Sequence, residues 1–249
     1  MNTTSKPITE HMGEAVTGSA VQTSSTCPST RVPTMDREDW NRRYAAEEFI
    51  WTVNANRFLM EEVANLAPGC ALDLAAGEGR NAVWLAEQGW TVQAVDLSDV
   101  AVEKGKRLAA ARGVSDRIEF RQADLRIYEA EEKCFDLVVL VYLQVPQADL
   151  VPILIRAAKA VAPDGTFLLV AHDSTNLKHG YGGPQHPALL YTADQVVAAL
   201  GNELEIEKAG CVDRPVQTKA GIQVAKDCLV RAKSAFLGHF TNEWRRTHE

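Results

Sequence analysis

The run Ala71-Leu72-Asp73-Leu74-Ala75-Ala76-Gly77-Glu78-Gly79-Arg80-Asn81-Ala82 constrains this chain more than any other stretch. Apolar residues end near a carboxylate, small residues crowd the next positions, and a helical pattern begins at about Arg80. The run reads as a strand, a tight turn and a helix. Small side chains let backbone approach a ligand closely, and the first turn of a helix offers N–H groups that have no partner inside the helix. Written as Gly77-x-Gly79-x-x-Ala82, the same run fits the dinucleotide-binding fingerprint.

Downstream, short apolar runs alternate with helical ones. Strands are expected at Cys70 to Leu74, Thr91 to Val95, Arg117 to Arg121, Phe135 to Val141 and Thr166 to Ala171. Helices are expected at Asn81 to Gln88, Val100 to Ala111 and Asp149 to Val161. Several strands are apolar at successive positions, as strands covered on both faces are. This alternation implies βαβ units and a doubly wound, mostly parallel α/β sheet. Leu204 to Lys208 and Asp227 to Ala232 are strand-like with no clear helix between them, so their direct return is antiparallel. Before the first strand, Asp39 to Tyr44 and Phe58 to Val63 read as two helical pieces, with Pro68-Gly69 closing the second.

Composition narrows the class. The 249 residues carry 26 Lys plus Arg against 33 Asp plus Glu, a formal charge of −7, which disfavours counterion-driven nucleic-acid binding. No apolar run reaches the length of a membrane span, and the expected setting is cytoplasmic. Cys27, Cys70, Cys134, Cys211 and Cys228 form no CxxC pair, which argues against a disulfide framework or a zinc site. His179 and His186 lack a third ligand at metal spacing, so no metal is expected. Met1 to Thr34 is rich in Ser and Thr, without the basic start and apolar run of a signal peptide, and is expected to be disordered. The folded domain is then expected over residues 35–235, with Met35 a candidate start and 236–249 a tail.

Two further carboxylates stand at strand ends. Asp96, in Val95-Asp96-Leu97-Ser98, follows the second strand at the spacing where an acidic side chain accepts both hydroxyls of a ribose. Ser98 is the better helix cap there. Asp124, in Arg121-Gln122-Ala123-Asp124-Leu125, follows the third. With Asp73 they form one constellation at the carboxyl edge of a parallel sheet, where such folds bind ligands.

From about Trp40 to Lys233 the chain resembles the class I S-adenosylmethionine-dependent methyltransferases. The resemblance rests on Asp73-x-Ala75-x-Gly77-x-Gly79, Asp96, Ala123-Asp124, Phe135-Asp136-Leu137-Val138-Val139, and Ala162-Pro163-Asp164-Gly165-Thr166 leading into Phe167 to Val170. Gly77 to Ala82 and the Trp40, Tyr44 and Trp51 lead-in look most like the small-molecule branch related to tellurite-resistance and thiopurine methyltransferases. One departure is Ala75, where the family usually has its first glycine. The resemblance implies a Rossmann-like, mostly parallel seven-stranded sheet with a C-terminal antiparallel strand, and S-adenosylmethionine as cofactor. It further implies that Gly77 and Gly79 lie against the methionine part, with Asp73 toward its amino end and Arg80 or Asn81 at its carboxylate. By the same resemblance Asp96 takes the ribose hydroxyls, and Asp124 and the Leu125 N–H take the adenine edge. Leu140-Val141-Tyr142 borders the sulfonium, and Trp40, Tyr44 and Trp51 close over the cofactor.

A sulfonium is already a strong methyl donor, so alignment of the acceptor for in-line displacement is the chief requirement. A base is needed only where the acceptor is protonated. His172, Asp173 and Tyr142 are the candidates for that help. Thr175 to Tyr191, long and glycine-rich, reads as a substrate lid with Gly180, Gly182 and Gly183 allowing closure. The acceptor is expected to be a small molecule (a thiol, chalcogen oxyanion, phenol or amine) and not a nucleic acid. Val141 to Pro146 is not the Asx-Pro-Pro-aromatic signature used on exocyclic amines, and no Pro-Cys pair supplies a cytosine-attacking thiol. The competing readings are an NAD-dependent oxidoreductase and a non-catalytic S-adenosylmethionine-binding protein. Asp73 and Asp124 weigh against the first, since a dianionic pyrophosphate would meet an acidic rim.

Overall fold

Alternate residues of each central strand go to opposite faces of one sheet, and both faces are covered. The computed structural model describes residues 32 and 34–234; the expectations for most of Met1 to Thr34 and for 236–249 lie outside them. Two helices, α1 (Arg37–Tyr44) and α2 (Arg57–Val63), precede the sheet. There follow β1 (Cys70–Leu74), α3 (Arg80–Glu87), β2 (Thr91–Asp96), α4 (Asp99–Arg112), β3 (Ile118–Gln122), β4 (Phe135–Val141), α5 (Gln147–Ala160) and β5 (Val161–His172). The chain ends with α6 (Asn176–His179), α7 (Ala193–Leu200) and a long hairpin, β6 (Glu205–Thr218) and β7 (Gly221–Lys233).

Leu72, Leu74, Val138, Leu140, Phe167 and Leu169 pack beneath α5 and α7. Their neighbours in sequence, Ala71, Leu137, Val139, Leu168 and Val170, pack on the other side with α2, α3 and α4. The two-residue period of a strand makes this division, and it explains the unbroken apolar runs in the sequence.

The strand order is β3-β2-β1-β4-β5-β7-β6. Strands β1 to β5 are parallel, and β7 is antiparallel to both β5 and β6. The order reverses between β1 and β4, which opens a crevice at the carboxyl ends of those strands. Because β7 runs the other way, its first half lies at that same edge, with Asp227 opposite His172.

The expected strands and helices are present, with several differences, among them that the last two strands are much longer than expected and that α6 was not expected. The third strand starts one residue late, because Ser115–Arg117 forms a 3-10 turn. The fifth starts at Val161 and contains a register shift against β4. There Asp164 takes φ 65°, and a Cβ on Gly165 would lie 2.9 Å from the Phe135 carbonyl oxygen. Helix α7 was not among the expected elements. Its capping box, Thr192 with Gln195, was legible, but only eight residues follow it.

Candidate active site

The crevice walls begin with two strained turns. Ala75 and Tyr142, at the ends of β1 and β4, both take φ 60°, a region where a non-glycine residue costs about 1–2 kcal/mol. The Ala76 N–H is held by the Val95 carbonyl at 3.0 Å, and the Tyr142 N–H by the Val170 carbonyl at 2.8 Å. Gly77 takes φ 56°, and its N–H donates to Asp96 Oδ2 at 2.8 Å. A Cβ there would press on the Tyr44 hydroxyl at 3.1 Å.

Asp96 joins the turns after β1 and β2, since its other oxygen accepts the Ser98 N–H at 2.9 Å. Burial pushes its pKa above the ordinary carboxylate range against the pull of those amides. On one side of Tyr44 and Tyr142 lies a cavity of about 90 Å³, lined by Asp96, Leu97, Asp124, Leu125 and Val145 among others. On the other side lies a cavity of about 630 Å³, lined by Ala75, Gly77, Arg80, Asn81, Val141 and His172, with Trp40 and Trp51 at its rim.

Asp73 lies wholly buried behind this wall. Among the described residues neither of its carboxylate oxygens has a well-formed hydrogen-bond donor, the Ala82 N–H exerting only a weak pull. Burial, reinforced by the nearby charge of Asp96 and opposed by Arg80, pushes its pKa up to about 7. An orphaned buried acid beside a cavity is the feature expected where a cationic ligand supplies the missing charge. Arg80 lines the same cavity and has no carboxylate hydrogen-bonded to it among the described residues. Its pKa is lowered, chiefly by burial.

The far end of the larger cavity is organised by Asp227. This fully buried carboxylate accepts from the Tyr142 hydroxyl at 2.7 Å and from Arg214 Nε at 2.6 Å. His172 Nδ1 stands 3.4 Å from its other oxygen. The His172 and Tyr142 rings stack at 4.6 Å. Burial and Asp227 raise the Tyr142 pKa, so its hydroxyl stays a donor. The Asp227 pKa is lowered, because the adjacent His172 and the hydrogen bonds from Arg214 and Tyr142 outweigh its burial.

The lead-in segment is tied down by a buried ion pair, Lys104 with Glu78, at 2.7 Å. Lys104 Nζ also donates to the carbonyls of Ala46 at 2.8 Å and Glu48 at 2.6 Å. Glu78 accepts the N–H groups of Ile50 at 3.1 Å and Trp51 at 3.3 Å. Residues 44–51 are thereby fixed over the glycine turn, placing Tyr44 and Trp51 against the larger cavity.

Among the residues singled out from the sequence, Ala75, Gly77, Arg80, Asn81, Trp51, Val141, Tyr142 and His172 line the larger cavity. Asp96, Leu97, Asp124 and Leu125 line the smaller. Asp124 is gripped by Arg126, Nη2 to Oδ2 at 2.6 Å, which holds its pKa down. Asn81 also accepts the Asn56 N–H at 2.9 Å, a link to the lead-in. Four residues do not line either cavity. Gly79 packs helices together, since a Cβ there would meet Phe120 at 3.0 Å and Gly105 at 3.1 Å. Ala123 donates its N–H to the Asp96 carbonyl at 2.9 Å. Asp73 stands behind the wall. Asp173 turns away from the reaction space, because its carboxylate accepts from the Thr175 N–H at 2.8 Å and hydroxyl at 2.6 Å.

Of the three glycines of the expected lid, Gly180 and Gly183 serve close packing, while Gly182 takes φ 69° with open space around it. A Cβ on Gly183 would lie 2.9 Å from the His172 ring, and one on Gly180 would overlap the Asn176 amide. Sequence reading missed Asp227, Arg214, Glu78 and Lys104. Alternation in β6 and β7 marks a half-buried strand but not which of its polar residues turns toward the sheet edge.

This sheet is that of the class I, S-adenosylmethionine-dependent methyltransferase fold. Residues 71–165 match the family described as a methyltransferase domain. A ribosomal protein L11 methyltransferase from Desulfitobacterium hafniense is 34% identical over 44% of this chain and 35% of its own length. The match therefore spans about a third of that curated relative. Among solved structures, TehB from Haemophilus influenzae aligns with TM-score 0.61 and 14% identity, over 80% of this chain and 66% of that one. A structure concerned with conversion of a disulfide bond into a thioacetal group during echinomycin biosynthesis aligns with TM-score 0.65 and 19% identity, over 82% and 93%.

Proposed function

We propose that this protein transfers a methyl group from S-adenosylmethionine to a small organic acceptor. The observation that carries the reading is the buried Asp73, which lacks a well-formed donor, beside Asp96 and the left-handed turn at Ala75 and Gly77. That wall suits a ligand bearing positive charge and ribose hydroxyls, and opposes a pyrophosphate. S-adenosylmethionine, when bound, supplies an electrophilic methyl on a cationic sulfur. Asp96 would hold the ribose, and Asp124 with the Leu125 N–H the adenine edge. Arg80 would hold the methionine carboxylate, while the Asp73 charge balances the cationic groups.

Tyr142 and His172, fixed by Asp227, border the acceptor space. They confine the acceptor to one orientation, an effect that contributes up to about 7–11 kcal/mol in well-aligned reactions. Where the acceptor arrives protonated, His172 takes its proton. Asp173 has no part in this. A cavity of about 630 Å³ rimmed by Trp40, Trp51 and Tyr181 suits a small molecule better than a nucleic-acid strand.

Calorimetry with S-adenosylhomocysteine and with NADH tests the cofactor assignment. Binding of the first alone is expected, and binding of NADH alone would overturn it. An acceptor panel read by mass, for the gain of one CH₂ unit, tests transfer.

A further inference from the structure

Among the described residues, the larger cavity is lined by Arg43, Arg57, Arg80, Arg214 and His172, and by no Asp or Glu. The four guanidinium groups are not equivalent. Arg57 is paired with Glu61 at 2.9 Å on the surface. Arg43 lies over the indoles of Trp40 and Trp51, at 5.4 and 5.2 Å from the ring centres, at the rim. Arg80 begins α3, directly after the glycine turn, where the proposed cofactor carboxylate would lie. That leaves Arg214.

Arg214 comes from β6, opposite the turn, in the wall that also holds Tyr142 and His172. Asp227 takes its Nε at 2.6 Å and its Nη2 at 3.4 Å, and the Tyr142 ring lies under its guanidinium at 5.5 Å. Those contacts fix the plane of the fork, while Nη1 has no acceptor among the described residues. With Nε and Nη2 engaged by the two oxygens of Asp227, the guanidinium presents only its outer side, Nη1 and the second Nη2 hydrogen, to a planar oxyanion. Asp227 offsets one positive charge only. The net positive charge of the cofactor is the one that Asp73 balances, so what Arg214 offers an acceptor is the open Nη1 side of its fork.

We infer that the methyl acceptor is an organic anion whose carboxylate binds Arg214. Trp51, Tyr181, Pro184 and Val216, on the same wall and rim, face its apolar body. Arg214 is thus a specificity residue and Asp227 the positioning residue that aims it. This rests on the methyltransferase reading for the name of the reaction, but its test does not depend on turnover.

Benzoate, benzamide and inorganic sulfate serve as probes, titrated by calorimetry into the full chain saturated with S-adenosylhomocysteine. Benzoate is expected to bind, with benzamide and sulfate weaker by about tenfold or more. Arg214→Gln is expected to bring benzoate down to the benzamide level while S-adenosylhomocysteine affinity is kept. Arg214→Lys keeps a charge beside Asp227 but loses the fork. It covers the case in which Arg214→Gln does not fold, and is expected to lose most of the benzoate affinity. Equal binding of benzoate and benzamide, sulfate as tight as benzoate, or undiminished benzoate binding in the folded Arg214 variants would each overturn the proposal. If S-adenosylhomocysteine itself does not bind, the cofactor reading fails. The same benzoate comparison between wild type and Arg214 variants, made without it, still decides the anion site.

Discussion

Asp73 sets two demands against each other. Its pKa in the folded chain, about 7, lies above the unfolded value near 3.8. Between those values the folded state binds more protons than the unfolded one, so stability declines as pH rises through that window. Asp73→Asn, which carries no charge, is therefore expected to raise the melting temperature at pH 8, with little change at pH 4. The same variant is expected to weaken S-adenosylhomocysteine binding, measured by calorimetry, since the compensating charge is gone. A variant melting no higher at pH 8 than wild type would show that Asp73 is not strained in the free protein. Asp96→Ala is expected to lose about tenfold or more in cofactor affinity, because charge-assisted hydrogen bonds are the strong ones. It also strands the Gly77 and Ser98 N–H groups, so a modest fall in melting temperature accompanies it. Both aspartates were legible because each lies at the carboxyl end of its strand, within one βαβ unit. The partners of Asp227 were not legible: Tyr142 stands 85 residues away in sequence.

At the scale of elements, α4 illustrates how a helix surface deceives. Glu103-Lys104-Gly105-Lys106-Arg107 resembles a solvated face, yet Lys104 is 1% exposed and Gly105 is buried. The carbonyls of the lead-in, which are not visible in any local pattern, complete the coordination of Lys104. Lys104→Met leaves Glu78 buried without its cation, and is expected to cost about 3–5 kcal/mol in urea unfolding. The double variant Glu78→Gln with Lys104→Met should recover part of that loss, as a double-mutant cycle would measure. Gly105 meets a different constraint, for a Cβ there would lie 2.5 Å from the Phe120 ring. Helix propensity alone favours Gly105→Ala by about 1 kcal/mol. Overpacking typically costs about 1–3 kcal/mol, and net destabilisation is expected. Adding Phe120→Leu should relieve it.

For the molecule as a whole, both apolar layers share the same strands, so neither can loosen without the other. Trp90, 2% exposed in the layer under α2, α3 and α4, reports one face, while far-ultraviolet circular dichroism reports the entire sheet. Coincident urea transitions by the two probes are expected, and separated midpoints would reveal independent halves. The parallel half of the sheet was legible from strand-helix alternation, because each unit is local. The hairpin was legible only as two short strands, since its length depends on pairing along thirteen partners. Its reversed direction has a consequence for inheritance. On the proposed reading, the residues that grip the nucleoside and the Arg214–Asp227 arm that selects the acceptor are encoded in separate stretches of the gene, on either side of Tyr191. Recombination or drift in the later stretch can therefore change which compounds are recognised while leaving the earlier chemistry intact, and closely related descendants of one ancestor can diverge in diet without relearning how to hold their donor.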